Sequence, residues 1–295
     1  MEFKYQYQGE RPLILREFLV QKQLPSNFIK NVKYQGGQML VNQQPVTVRY
    51  MLQPNDLVTI VAPVEVGHET VIASNEPLDI HYEDRDFLIV NKPAGLLSIP
   101  SMLNPDDSVA NRLKGYYQQK AYPDQVIHVV TRLDKDTTGL MLIAKHRLAH
   151  AFFDRQLREG KLTRQYLALS HRSIWPDHGF IDSPIARSDD SIITRTVSPT
   201  GQAALTEFWL QNQYSQGALL KLQLYTGRTH QIRVHLSHLE GALIGDTLYG
   251  GVYHYNMQRP ALHCHLLAFH HPFTEQPMLF RQELPDDMQQ WINNN

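Results

Sequence analysis

The chain has 295 residues, 42% apolar and 19% charged, with a formal net charge of -1 and one cysteine. No apolar run approaches the roughly 20 residues of a membrane helix, and a lone Cys264 excludes an internal disulfide or a multi-cysteine zinc site. A near-neutral total excludes a protein that coats nucleic acid indiscriminately, though not one with a local basic patch.

The start, Met1-Glu2-Phe3-Lys4-Tyr5-Gln6-Tyr7, lacks the charged head and apolar middle of a secretory signal, so a cytoplasmic protein is expected. Residues 1–63 hold seven Lys or Arg, among them Arg16, Lys30 and Lys33, against four acids, a local charge of +3. Periodicity predicts helices over 13–21 and 26–33, the second capped by Ser26, and then strands over 39–41, 46–48 and 57–60. Residues 64–77 are polar and aperiodic, which predicts a linker between a small domain, 1–63, and a large one, 78–295.

Beyond residue 78, short apolar strands dominate, at 87–90, 126–130, 140–144, 166–169, 219–224 and 262–269. The run Phe87-Leu88-Ile89-Val90 suits a strand covered on both faces, whereas Leu220, Leu222 and Leu224 alternate with polar residues. Helices are expected at 147–158 and at 229–239, the latter capped by Thr229. This order predicts an α+β fold around a mixed, largely antiparallel sheet rather than βαβ repeats.

Two constellations can carry chemistry. In Thr131-Arg132-Leu133-Asp134-Lys135-Asp136-Thr137-Thr138-Gly139, a polar turn between two apolar strands offers a rigid mount for the Asp134 carboxylate, although Asp and Thr are also ordinary turn-formers. Around Gly227, a strand end leads into a helix start where Arg228, His230, Gln231 and Arg233 concentrate donors fit for phosphate or carboxylate. The 15 histidines invite a metal reading, but none falls in a metal-binding motif, so no metal is expected. Asn91-Lys92-Pro93-Ala94-Gly95 reads as a turn bearing one lysine, and no phosphate-loop motif is present.

Together these segments resemble the RluA/RluD-type RNA pseudouridine synthases, from about residue 78 to 280 and in the family's order. Asp84 to Gly95 looks like the opening motif, Thr131 to Lys145 like the catalytic loop, and Arg164-Gln165-Tyr166 like the tyrosine strand. Gly227 to Leu236 and Ile244-Gly245-Asp246-Thr247 look like the last two signatures. Thr131 and Thr138 depart from the family's usual His and Ser. Residues 11–61 resemble the small RNA-binding domain named for ribosomal small-subunit protein four.

The resemblance implies an isomerase that breaks a uridine's glycosidic N–C bond, turns the uracil and rejoins it through C5, with no cofactor. It assigns the catalytic carboxylate to Asp134, as nucleophile or as promoter of an elimination. Tyr166 would stack on the flipped-out base and help remove the C5 proton, and Arg233 would pair with the carboxylate and favour its charged form. Arg132, Lys92, Arg228 and His230, with Arg16, Lys30 and Lys33 in the small domain, are the expected RNA contacts. The implied partner is structured RNA, ribosomal large-subunit RNA first and tRNA second, acted on by a monomer away from membranes.

Overall fold

A computed structural model of the chain describes every residue except 66–70, 189–190, 192 and 255–256. The N-terminal segment forms an antiparallel sheet in the order Glu2–Gln6, Leu57–Val61, Gln38–Val41, Gln44–Pro45. Helices Leu15–Gln21 and Ser26–Tyr34 bury Leu15, Phe18, Leu19, Phe28 and Val32 in one core with Phe3, Val41, Val58 and Ile60. Ser26 is not the expected cap. Pro25 holds the capping position, its fixed φ leading into the helix, and no side chain bonds the free amides. The strand expected over 46–48 is also absent: Val46 and Val48 pack on the core, while Val48 O accepts from Arg16 N at the first helix's start. Strand Glu2–Gln6 went unanticipated because only Phe3 of its five residues is buried.

That core is completed by the larger part of the chain. Leu148 belongs to it, Phe152 and Phe273 pack against it, and the Phe3 ring stacks on Phe273 at 5.3 Å. The described ends of the expected linker are pinned: Glu65 N donates to Asp124, its carboxylate accepts from His128 Nε2 and Arg147 N, and Ile72 O accepts from Asn111.

The larger part is built on a ten-stranded sheet. Its main path runs His178–Asp182, Leu205–Tyr214, Gly217–Leu224, Thr163–Ser170, Leu262–His270, Thr138–Ala144, Phe87–Lys92, Asp79–Glu83. Every pairing is antiparallel except Thr138–Ala144 with Leu262–His270, so the sheet is mixed and largely antiparallel. All seven residues of Thr138–Ala144 are buried, as are Phe87, Leu88, Ile89 and Val90, so these central strands are covered on both faces. Helix Arg147–Arg158 forms over the predicted span, with His146 Nδ1 accepting from Ala149 N. Helix Val109–Gln119 was not legible because Gly115 and paired tyrosines blur its period. A Cβ at Gly115 would strike the Ser74 carbonyl, so the glycine lets the later part of the expected linker cross the helix closely.

Candidate active site

The loop bearing Asp134 is held at several points. Thr131 Oγ1 accepts from Leu142 N at 2.8 Å, Ser98 Oγ donates to Leu133 O at 2.6 Å, and Thr137 N closes the turn onto Asp134 O at 3.1 Å. Gly139 leaves the turn with φ +107°, and a Cβ there would run into the backbone of Cys264, so glycine is required where the two parallel strands meet. The departures Thr131 and Thr138 are therefore structural bonds within the loop's frame, since Thr138 Oγ1 also meets His263 Nδ1 at 2.8 Å.

Asp134 opens onto a cleft of about 900 Å³ that Tyr166, His230, Arg233 and Asp246 also line. Arg233 is clamped by Asp246, Nε to Oδ2 at 2.7 Å and Nη2 to Oδ1 at 2.8 Å, and its remaining Nη1 stands 3.5 Å from Asp134 Oδ2. Burial acts to lower the guanidinium's pKa, but the Asp246 bonds and the charges of Asp246 and Asp134 outweigh it, and the net shift is upward. Asp246 is the residue that sequence reasoning missed. It lay inside a recognised motif, and an acid placed after a glycine gave no hint of its partner.

His230 starts helix Gln231–His238 in the left-handed region, φ 58°, with Nδ1 2.8 Å from Tyr249 Oη. Burial lowers its pKa against the pull of Asp134, so at neutral pH it faces Asp134 at 4.0 Å as an uncharged ring and not as an ion-pair partner. The expected cap Thr229 is not used. Gln231, read as a donor to anions, is buried instead: its Oε1 accepts from Arg228 N and Thr226 Oγ1, and its Nε2 donates to Leu205 O, fastening the Gly227 turn from inside.

Tyr166 sits beside a register shift in the pairing of Thr163–Ser170 with Leu262–His270, a bulge that re-aims its side chain. Burial, aided by neighbouring Cys264, raises the phenol far above its usual pKa, so it stays neutral.

Arg132 and Arg228 are exposed on the rim of the cleft. Lys92 is a correction. Its side chain is fully buried and Nζ donates to the carbonyls of Pro93, Leu96 and Lys135, so it braces the Asp134 loop and cannot reach RNA. Arg16, Lys30 and Lys33 belong to the N-terminal helices and do not line the cleft. Asp84, Asp86 and His271 bring possible metal ligands within 4.8 Å of one another, but His271 bonds Asp84, and His146 and Arg85 bond Asp86. This network carries the Phe3 contact between the two parts of the chain, since His146 and Arg85 both lie against that ring.

The family model for RNA pseudouridylate synthase matches residues 86–238. The RNA pseudouridine synthase YjbO of Bacillus subtilis (strain 168) is 41% identical over 280 residues, covering 95% of this chain and 98% of its own. Ribosomal large subunit pseudouridine synthase D of Vibrio parahaemolyticus is 36% identical over 266 residues, covering 85% of this chain and 81% of its own. Among solved structures, human RNA pseudouridylate synthase domain containing 4 has a TM-score of 0.60 at 22% identity, over 73% of this chain and 92% of its own, a likeness of fold. The matched region spans the Asp134 loop, the Tyr166 strand and the Arg233 helix, and the likeness to YjbO extends over nearly all of both chains; this protein belongs to the RNA pseudouridine synthases, isomerases that act on RNA.

Proposed function

We propose that the enzyme isomerises specific uridines in structured RNA, ribosomal large-subunit RNA first, with Asp134 acting at the sugar–base junction of a flipped-out nucleotide. The observation that carries this is the approach of Asp134 Oδ2 to Arg233 Nη1, 3.5 Å, inside an open cleft of about 900 Å³. A base stacked inside a helix cannot present its sugar–base junction to a carboxylate set in a cleft, so the target nucleotide leaves its stack, at a cost of about a few kcal/mol. The ring of Tyr166 offers the flipped uracil a stacking face. Arg233 presents Asp134 with a permanent positive charge on one side, leaving its other oxygen for the ribose or the base. Isomerisation exchanges one bond of the uracil for another and moves one proton, so side chains suffice. The ribosomal target draws support from the name of the Vibrio relative, a ribosomal large subunit enzyme, and tRNA is the second reading.

Pseudouridine mapping of total RNA, with and without the gene, tests both activity and target. One or a few sites should vanish on deletion and return with the intact gene but not with Asp134→Ala. Sites restored by Asp134→Ala would remove Asp134 from the chemistry, sites lost only from tRNA would refute the ribosomal assignment, and no change at any uridine would count against the activity itself.

A further inference from the structure

Arg259 is largely buried, and both its side chain and its main chain are committed. The guanidinium forks onto Asp287, Nε to Oδ2 at 2.7 Å and Nη2 to Oδ1 at 2.8 Å. Its Nη1 donates to Asp136 O at 3.3 Å, to Pro260 O at 3.0 Å and to Leu262 O at 3.4 Å. Asp287 lies in the first turn of helix Asp286–Asn293, which Met288 and Trp291 sink into a core with Leu169, Ile244, Met257 and Ala261. The C-terminal helix is thus a firm anchor for an arginine that reaches the turn carrying Asp134.

That turn is held at three successive carbonyls. Asp134 O accepts from Thr137 N, Lys135 O from Lys92 Nζ at 2.7 Å, and Asp136 O from Arg259. The main chain of Arg259 meets the other side of the site. Its carbonyl leaves no room for a Cβ on Gly245, and Ala261 N donates to Ile244 O at 2.9 Å, so this segment packs on the turn that presents Asp246. Asp246 in turn clamps Arg233. One residue therefore touches the mounts of both Asp134 and Arg233.

The gap between those two side chains, 3.5 Å, exceeds the roughly 2.7–2.9 Å of a charge-assisted hydrogen bond, so their own attraction does not fix it and the mounts do. We infer that Arg259, steadied by Asp287, is a positioning residue that sets the separation of Asp134 from Arg233 and ties the C-terminal helix to the reacting centre. The inference rests on the proposed function in taking Asp134 as the reacting carboxylate, and it adds what holds that carboxylate in register. A misplacement of about 1 Å at a reacting group can cost about a hundred-fold in rate.

The test uses the full-length enzyme in excess over total RNA from cells lacking the gene. It reads the saturated rate of pseudouridine formation and the enzyme concentration that gives half of it. Arg259→Lys keeps the charge but loses the fork, and Asp287→Ala removes the anchor while Met288 and Trp291 keep the helix docked. Each should slow the saturated rate about ten- to a hundred-fold and leave the half-saturating concentration within about two-fold. Asp287→Glu, which retains a carboxylate, should keep most of the wild-type rate. A pair that only staples the helix would lower stability in urea and leave the rate per folded molecule unchanged. Wild-type rates in Arg259→Lys and Asp287→Ala, or losses no larger than the unfolded fraction, therefore overturn the positioning role. A change confined to the half-saturating concentration overturns it too, since that would place the pair in RNA binding. Asp134→Ala runs alongside: turnover in that variant overturns the reading of Asp134 and this inference with it, whereas an inactive Asp134→Ala beside a fully active Asp287→Ala overturns the inference alone.

Discussion

Arg233 and Asp246 form a two-bond pair at 2.7 and 2.8 Å, and that pair is what aims the third guanidinium nitrogen at Asp134. Both residues are buried, which makes the clamp costly to break. Asp246→Ala should lower stability by about 3–5 kcal/mol, as expected when a buried charge loses its partner. Asp246→Asn keeps an acceptor, so it should fold better yet lose about ten- to a hundred-fold in kcat through misplacement of the arginine. Urea unfolding and turnover, measured on both variants, separate the two effects. Wild-type kcat in Asp246→Asn would show that Arg233 needs no aiming.

Tyr166 offers a ring and a hydroxyl, and its raised pKa assigns them different weights. A phenol that stays protonated through the working pH range is a poor proton acceptor, whereas its ring is available throughout. Tyr166→Phe should therefore keep turnover within about ten-fold, while Tyr166→Ala should lose the stacking interaction, worth about 1–3 kcal/mol. A hundred-fold or greater fall in Tyr166→Phe would return the proton step to the hydroxyl.

Much of this site was legible because its parts are local. Strand-turn-strand around Asp134 and strand-to-helix around Gly227 each leave a pattern within a dozen residues, and the central strands announce themselves as apolar runs. What stayed hidden depends on distance in sequence. Asp246 acquires meaning only when Arg233 arrives from another element, and Gln231 and Lys92 looked like surface donors until the fold placed backbone oxygens around them. Residue type suggests chemistry, but burial decides whether a lysine binds an anion or braces a loop.

Lys92 supplies a prediction with a definite sign. Burial lowers its pKa from 10.5 to about 7, opposed by the charges of Asp136 and Asp134. With the native value below the unfolded one, the unfolded chain binds the extra proton across the interval between them, so the lysine's contribution to stability rises with pH from about 7 to 10.5. The stability of wild type relative to Lys92→Met should grow by up to about 1.4 kcal/mol per pH unit in that window. Urea unfolding of both proteins at pH 7 and pH 9 reads the difference directly. A flat difference would mean that the three carbonyl acceptors hold the ammonium at its ordinary pKa, since a neutral amine has only two N–H groups to give them.

The N-terminal segment is proposed to add RNA affinity through Arg16, Lys30 and Lys33, and its packing dictates how that should be tested. Removing residues 1–63 would uncover Leu148, Phe152 and Phe273, so a weakened deletion variant would report disrupted packing as much as missing charge. None of the three basic side chains belongs to the buried core, which lets the charges be removed while that core stays closed. A triple replacement by Gln should leave the unfolding temperature within a few degrees, since surface changes of this kind are worth about 0.5 kcal/mol or less each. It should also flatten the salt dependence of RNA binding by about 0.7 to 0.9 in slope for every phosphate that is no longer neutralised. Affinity should fall most at low salt, where counterion release contributes most. If the slope stays at its wild-type value, the positive charge of this segment does not meet RNA, and the grip on the strand lies with the arginines around the cleft.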